Sequence, residues 1–194
     1  MIRIPLAKTD IGLDEVAAVS KVMESGRLAF GPELERFERD FAEYHEVSGA
    51  VMINSGTSAL MISLLALGIG AGDEVIMPAL TFVGTVNAIL ATGATPVLVD
   101  VNAQTANIDI TSLKRSITEK TRAFIPVHLS GLPAAMKDIL EVANDGKFKI
   151  IEDACEAIGS MQGGHKVGSI GDAGVFGFYP NKVLTTGEGG MIIS

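Results

Sequence analysis

Lys182 sits in a segment otherwise poor in charge, Phe178-Tyr179-Pro180-Asn181-Lys182-Val183-Leu184-Thr185-Thr186-Gly187, after an apolar run and before a glycine turn. A partly dehydrated lysine loses its proton more easily and becomes a nucleophile able to form a Schiff base with a carbonyl compound. An ordinary exposed loop lysine would read the same way in isolation. Three other segments carry matching chemistry. Ser55-Gly56-Thr57-Ser58 precedes a helix, where free N–H groups with the hydroxyls of Thr57 and Ser58 form a cradle for a phosphate. A plain N-cap would use the same residues. Thr81-Phe82 opens another helix, and the Phe82 ring would either stack on a flat heterocycle or fill the core. Glu152-Asp153-Ala154-Cys155-Glu156 sets acids at the end of a buried strand, which is costly unless a cation pairs with them. A protonated ring nitrogen would be such a cation. Asp153 as an N-cap, with Glu156 as the return arm of a capping box, is the structural alternative.

A phosphate cradle, a stacking ring, an acid for a pyridinium nitrogen and an isolated lysine are together the parts needed to hold pyridoxal 5'-phosphate (PLP). The elements that must position them alternate along the chain. Helices are expected over 12–25 and 33–45, a strand over 50–53, a helix over 59–67 and a strand over 74–77. A helix over 82–91, strand 96–99, short helix 111–117, strand 123–127, helix 134–143 and strand 149–152 follow, then strands 173–177 and 190–193. Phe37, Phe41 and Tyr44 of the second helix read as packing residues. Continuously apolar strands separated by helices mean a three-layer α/β/α fold with a mostly parallel seven-stranded sheet, the last two strands antiparallel. In such a sheet ligands bind beyond the strand carboxyl ends, where all four segments fall.

Composition narrows the function. The 194 residues suit one well-buried domain, and a net charge of −8 without a basic cluster argues against nucleic acid or an acidic membrane surface as partner. No apolar run is long enough to span a membrane, and no charged-then-apolar leader opens the chain. One cysteine, Cys155, excludes an internal disulfide and fits a reducing cytoplasm, and the three scattered histidines offer no metal-ligand spacing. A dinucleotide-binding fold is disfavoured: no Gly-x-Gly-x-x-Gly follows the first strand, and Gly163-Gly164 with Gly168 follow no expected strand.

Residues 4–194 resemble the PLP-dependent sugar aminotransferases of the DegT/DnrJ/StrS family, on the fold-type-I aminotransferase scaffold. The resemblance rests on Ser25-Gly26-Arg27 with Gly31-Pro32, Asn54-Ser55-Gly56-Thr57-Ser58-Ala59-Leu60, Gly72-Asp73-Glu74-Val75-Ile76 and Pro78-Ala79-Leu80-Thr81-Phe82. It continues through Gly93-Ala94-Thr95-Pro96-Val97, Pro126-Val127-His128-Leu129, Glu152-Asp153-Ala154-Cys155 and Phe178-Tyr179-Pro180-Asn181-Lys182. It implies that Lys182 carries the cofactor and shuttles protons, Asp153 pairs with the pyridine nitrogen, and Phe82 stacks on the ring. Gly56, Thr57 and Ser58 would hold the phosphate, and Glu156 would lie near the ring hydroxyl, where relatives often have His or Gln. The implied reaction moves an amino group from glutamate or glutamine to a nucleotide-linked keto sugar, in a cytoplasmic homodimer with sites built from both chains.

Two departures stand out. Gly177 replaces a serine that touches the phosphate in many relatives, and family members run to roughly twice this length. The expectation is a truncated PLP-binding large domain over 1–194, its C-terminal small domain absent, since the last strand ends at Ser194. Lys182 argues against the sugar-dehydrating branch of the family, which has histidine there. An inactive fragment, or a non-enzymatic module that binds PLP or sugar, is the competing reading.

Overall fold

The computed structural model describes residues 7–194. The first residues of the resemblance, 4–6, and the N-terminal start where a leader would lie are outside that span. Seven strands form the main sheet: β1 (Ala50–Ile53), β2 (Glu74–Pro78), β3 (Thr95–Val99), β4 (Thr121–Phe124), β5 (Lys149–Asp153), β8 (Ala173–Gly177) and β9 (Gly190–Ile193). Between β5 and β8 a small separate hairpin pairs β6 (Met161–Gln162) with β7 (His165–Lys166). The sheet order is β1-β9-β8-β5-β4-β2-β3. Only β9 runs against the rest, antiparallel to both β8 and β1, so the expected antiparallel pair at the end of the chain is present.

Six helices flank the sheet: α1 (Leu13–Ser25), α2 (Pro32–His45), α3 (Gly56–Ala66), α4 (Val83–Ala91), α5 (Ile110–Arg115) and α6 (Met136–Gly146). Strand alternation sorts the core into two layers. Val75, Met77, Ala123, Ile125, Ile151 and Val175 face α3 and α4. Their neighbours in sequence, Ile76, Phe124 and Ile150, face α5 and α6, while Phe176 and Met191 meet Phe41 of α2. The layered α/β/α architecture is therefore the one expected. Local chemistry starts the helices. Pro32 sits in the first turn of α2 behind the Gly31 N-cap, where its missing N–H costs nothing. Ser55 caps α3 by accepting from the Ser58 N–H at 3.1 Å.

Four expectations need correction. Strand β1 is not buried: it lies at the sheet edge with Val51 56% exposed, because its only partner is β9. Helix α1 is amphipathic yet has no buried residue, and Leu13, Val16, Val19 and Met23 all face outward. Tyr44 does not join Phe37 and Phe41 in packing; it is half exposed beneath the Lys166 ammonium, 4.9 Å from its ring centroid. Gly163-Gly164 do follow a strand, the two-residue β6, and turn it into β7; positive φ of 60° and 86° makes glycine the residue for that turn.

Candidate functional site

Because β1, β2, β5 and β8 all point the same way, the segments after them meet at one end of the sheet. There they line a cavity of about 510 Å³. Gly56, Thr57, Phe82, Asp153, Glu156 and Lys182, six of the seven residues singled out from the sequence, are on its wall. Ser58 is not: its hydroxyl is held at 3.0 Å by Ser55 Oγ, beside the cap that starts α3.

Asp153 ends β5 and is 6% exposed. Alternation turns it toward α4, where Thr85 Oγ1 donates to its Oδ2 at 3.0 Å, and Thr81 Oγ1 stands 3.2 Å from Thr85 Oγ1. Among the described residues its Oδ1 has only a long 3.3 Å bond from the Cys155 N–H, leaving acceptor capacity for a ligand. Glu152, one residue earlier, points the opposite way and is fully buried. Its carboxylate accepts from the N–H groups of Gly168, Ile170 and Gly171 and from His128 Nε2 at 2.9 Å. His128 Nδ1 accepts the Ala134 N–H at 3.0 Å, so the ring proton sits on Nε2 and is donated to Glu152. Of the two adjacent acids, Glu152 braces the fold and Asp153 serves the cavity.

At the start of α3 the N–H groups of Gly56 and Thr57 have no partner among the described residues, as expected of a first helical turn. Close packing around that turn favours glycine at two positions. A Cβ at Gly56 would lie 2.8 Å from Cys155 Sγ, and one at Gly84 would run into Thr57 Oγ1 and the Phe82 ring. Gly177 packs against the same thiol, since a Cβ there would be 3.3 Å from Cys155 Sγ. Phe82 is the N-cap residue of α4 and is 71% exposed on the cavity wall, so it is not a core residue.

Lys182 follows β8 in a loop tied back by its own N–H to Tyr179 O at 2.9 Å. Its Nζ lies 3.0 Å from Glu156 Oε1. Burial pushes the Glu156 carboxyl up, but the Ser130 N–H and the Lys182 ammonium outweigh it and hold the group below the usual carboxylate range. Burial pushes the Cys155 thiol well up, and the nearby Asp153 carboxylate adds to that, so the thiol is neutral.

Sequence reasoning missed Thr85, His128 and Ser130 as partners of the acids. The signal for Thr85 was a second hydroxyl in the first turn of α4, four residues after Thr81, which just precedes that helix. Among the described residues no group of three His, Cys, Asp or Glu side chains could hold a metal ion, and no helix is long and apolar enough to cross a membrane.

An α/β/α fold that gathers a lysine, a buried aspartate and an open helix N-terminus in one cavity at its strand ends has the form of an aminotransferase fold. The chain belongs to the DegT/DnrJ/EryC1/StrS aminotransferase family, whose profile matches residues 9–194. It is 44% identical over 97% of its length to the spore coat polysaccharide biosynthesis protein SpsC of Bacillus subtilis, covering 49% of that protein. It is 50% identical over 80% of its length to the GDP-perosamine synthase of Caulobacter vibrioides, covering 42% of it. The crystal structure of NtdA from Bacillus subtilis with bound cofactor PMP superposes with a TM-score of 0.92 at 39% identity, over 99% of this chain and 45% of that one. The chain thus spans about half the length of the relatives it matches.

Proposed function

We infer that this chain is the cofactor-holding domain of a PLP-dependent aminotransferase acting on a nucleotide-linked keto sugar, with glutamate or glutamine as amino donor. The observation that carries the reading is the meeting of Lys182 and Asp153 on one cavity beside the open α3 N-terminus. The donor set fits PLP. The free Gly56 and Thr57 N–H groups and the Thr57 hydroxyl suit a phosphate, with Ser58 supporting them through the cap. Asp153 suits a protonated pyridine nitrogen, and the exposed Phe82 ring suits its flat face. Kinship to a GDP-perosamine synthase and likeness to a PMP-bound structure support both substrate class and cofactor.

When bound, PLP supplies a ring that accepts the electrons of a carbanion. The chain's own residues do the rest. Asp153 would hold the proton on the ring nitrogen, since a buried carboxylate is best paired with a cation. Lys182 Nζ would move the proton at the reacting carbon, since a neutral amine has the lone pair to take it. Glu156 stands beside that amine. Exposed Leu80, Val83, Tyr179 and Val183 suit a homodimer in which a second copy completes the cavity, and a nucleotide-linked substrate suits the cytoplasm.

The test is direct. Purified protein mixed with PLP should develop the visible band of lysine-bound cofactor and transfer nitrogen from glutamate or glutamine to a GDP-linked keto sugar. Retention of both by Lys182→Ala would sink the reading.

A further inference from the structure

The Lys182 amine is not loose in its cavity. It is paired with Glu156 Oε1 at 3.0 Å, the lysine side chain 18% and the glutamate 40% exposed. The second oxygen, Glu156 Oε2, accepts the Ser130 N–H at 2.9 Å. A backbone bond on one oxygen fixes the carboxylate so that the other is presented to the amine. Ser130 adopts φ 53°, ψ 29°, left-handed space that a residue other than glycine enters at a cost of about 1 kcal/mol or more. Gly131 next to it has its carbonyl bound by Ser160 Oγ at 2.7 Å. The turn over the cavity is therefore pinned at both residues, and the Glu156 carboxylate is one of the pins.

The other titratable groups sharing the cavity with Lys182 are already accounted for. Asp153 is bound by Thr85 and the Cys155 N–H, and Cys155 is a neutral thiol. Tyr179 and Glu188 belong to the lysine loop itself. Among the described residues Glu156 alone forms an ion pair with Lys182.

We propose that Glu156 is a positioning residue that parks the Lys182 amine on the cavity wall, in an orientation set by the Ser130 N–H. The purpose of parking rests on the PLP reading; the pairing does not. An ammonium has no lone pair, so it must release its proton to water before the nitrogen can attack an aldehyde. Pairing with a fixed carboxylate orients the amine and shields it from stray electrophiles.

The experiment is competitive acylation of the protein freed of PLP, using acetic anhydride from about pH 7 to 11, with mass spectrometry of each lysine. The free amine displaces acetate, an amide bond forms, and the released proton goes to solvent. Lys149, paired with Asp172 on the surface, serves as the internal reference. Glu156→Gln, which keeps an acceptor for Ser130, should raise acylation of Lys182 relative to Lys149 by about three- to tenfold near pH 8. Glu156→Asp, which keeps the charge but shortens the reach, should give a smaller rise. Circular dichroism reports folding; should Glu156→Gln unfold, the Glu156→Asp result decides. Unchanged Lys182 acylation in the folded variants overturns the proposal. Prior addition of PLP to the unmutated protein should block acylation of Lys182. Failure to block, with the Glu156→Gln effect intact, overturns the cofactor reading and upholds the pairing.

Discussion

Thr85 Oγ1 donates to Asp153 Oδ2 across 3.0 Å, joining the first turn of α4 to the last residue of β5. The threonine is 1% exposed and the aspartate 6%, so water does not share in this bond. It keeps the carboxylate turned to the cavity. Thr85→Val preserves the shape and removes the donor, leaving a buried acceptor short of a partner at a cost of about 1–3 kcal/mol. PLP affinity should fall by about tenfold or more, and the midpoint of urea unfolding should drop. Absorbance titration and chemical denaturation check the two arms.

Phe82 offers the opposite case. A ring that is 71% exposed contributes little to the core, so Phe82→Ala should change unfolding free energy by no more than about 0.5 kcal/mol. The same change should weaken PLP binding by about 0.5–1.5 kcal/mol through lost stacking. Equal affinity in the two proteins would show that the ring does not meet the cofactor.

His128 and Glu152 hold the fold and stand apart from the cavity chemistry. Both are fully buried, and His128→Ala would strip a buried carboxylate of one partner while opening a void. A loss of about 3 kcal/mol or more in urea unfolding is expected. A smaller loss would mean that the three backbone N–H donors satisfy Glu152 unaided.

His45 gives a pH signature. It is buried among aromatic rings with Nδ1 bonded to Phe41 O and Nε2 unpartnered. Burial lowers its pKa, the Phe41 carbonyl partly offsets this, and the Lys166 ammonium adds to the lowering. The unfolded chain therefore takes up the proton first. The stability from a neutral His45 is fully present above the usual histidine pKa and is lost as pH falls through the lower folded value. His45→Phe should flatten the dependence of the urea midpoint on pH in the mildly acidic range. An unchanged slope would exclude His45 as its source.

Much of this was readable from the chain. Buried strands such as Val75-Ile76-Met77 declare themselves by unbroken apolar character, and the sheet direction follows from the helices between them. Lys182, Asp153 and Phe82 stood out because their types are out of keeping with their surroundings. What stayed hidden was pairing across long stretches of sequence. Thr85 meets Asp153, and Ser130 meets Glu156, only through sheet order, which residue types do not encode. Position in the sheet was hidden likewise: Val51 is as apolar as Val75, yet one lies on an edge strand and the other on a strand flanked on both sides. The two-residue β6 and β7 are too short to show any periodicity.

The placement of β9 governs when the domain can assemble during translation. Ala50 pairs with Ile193, and among the described residues β1 has no neighbour in the sheet besides β9. β1 therefore waits with both edges bare until β9, far along the chain, has been made. During that interval its unmatched backbone is open to aggregation, and closing so distant a contact is slow.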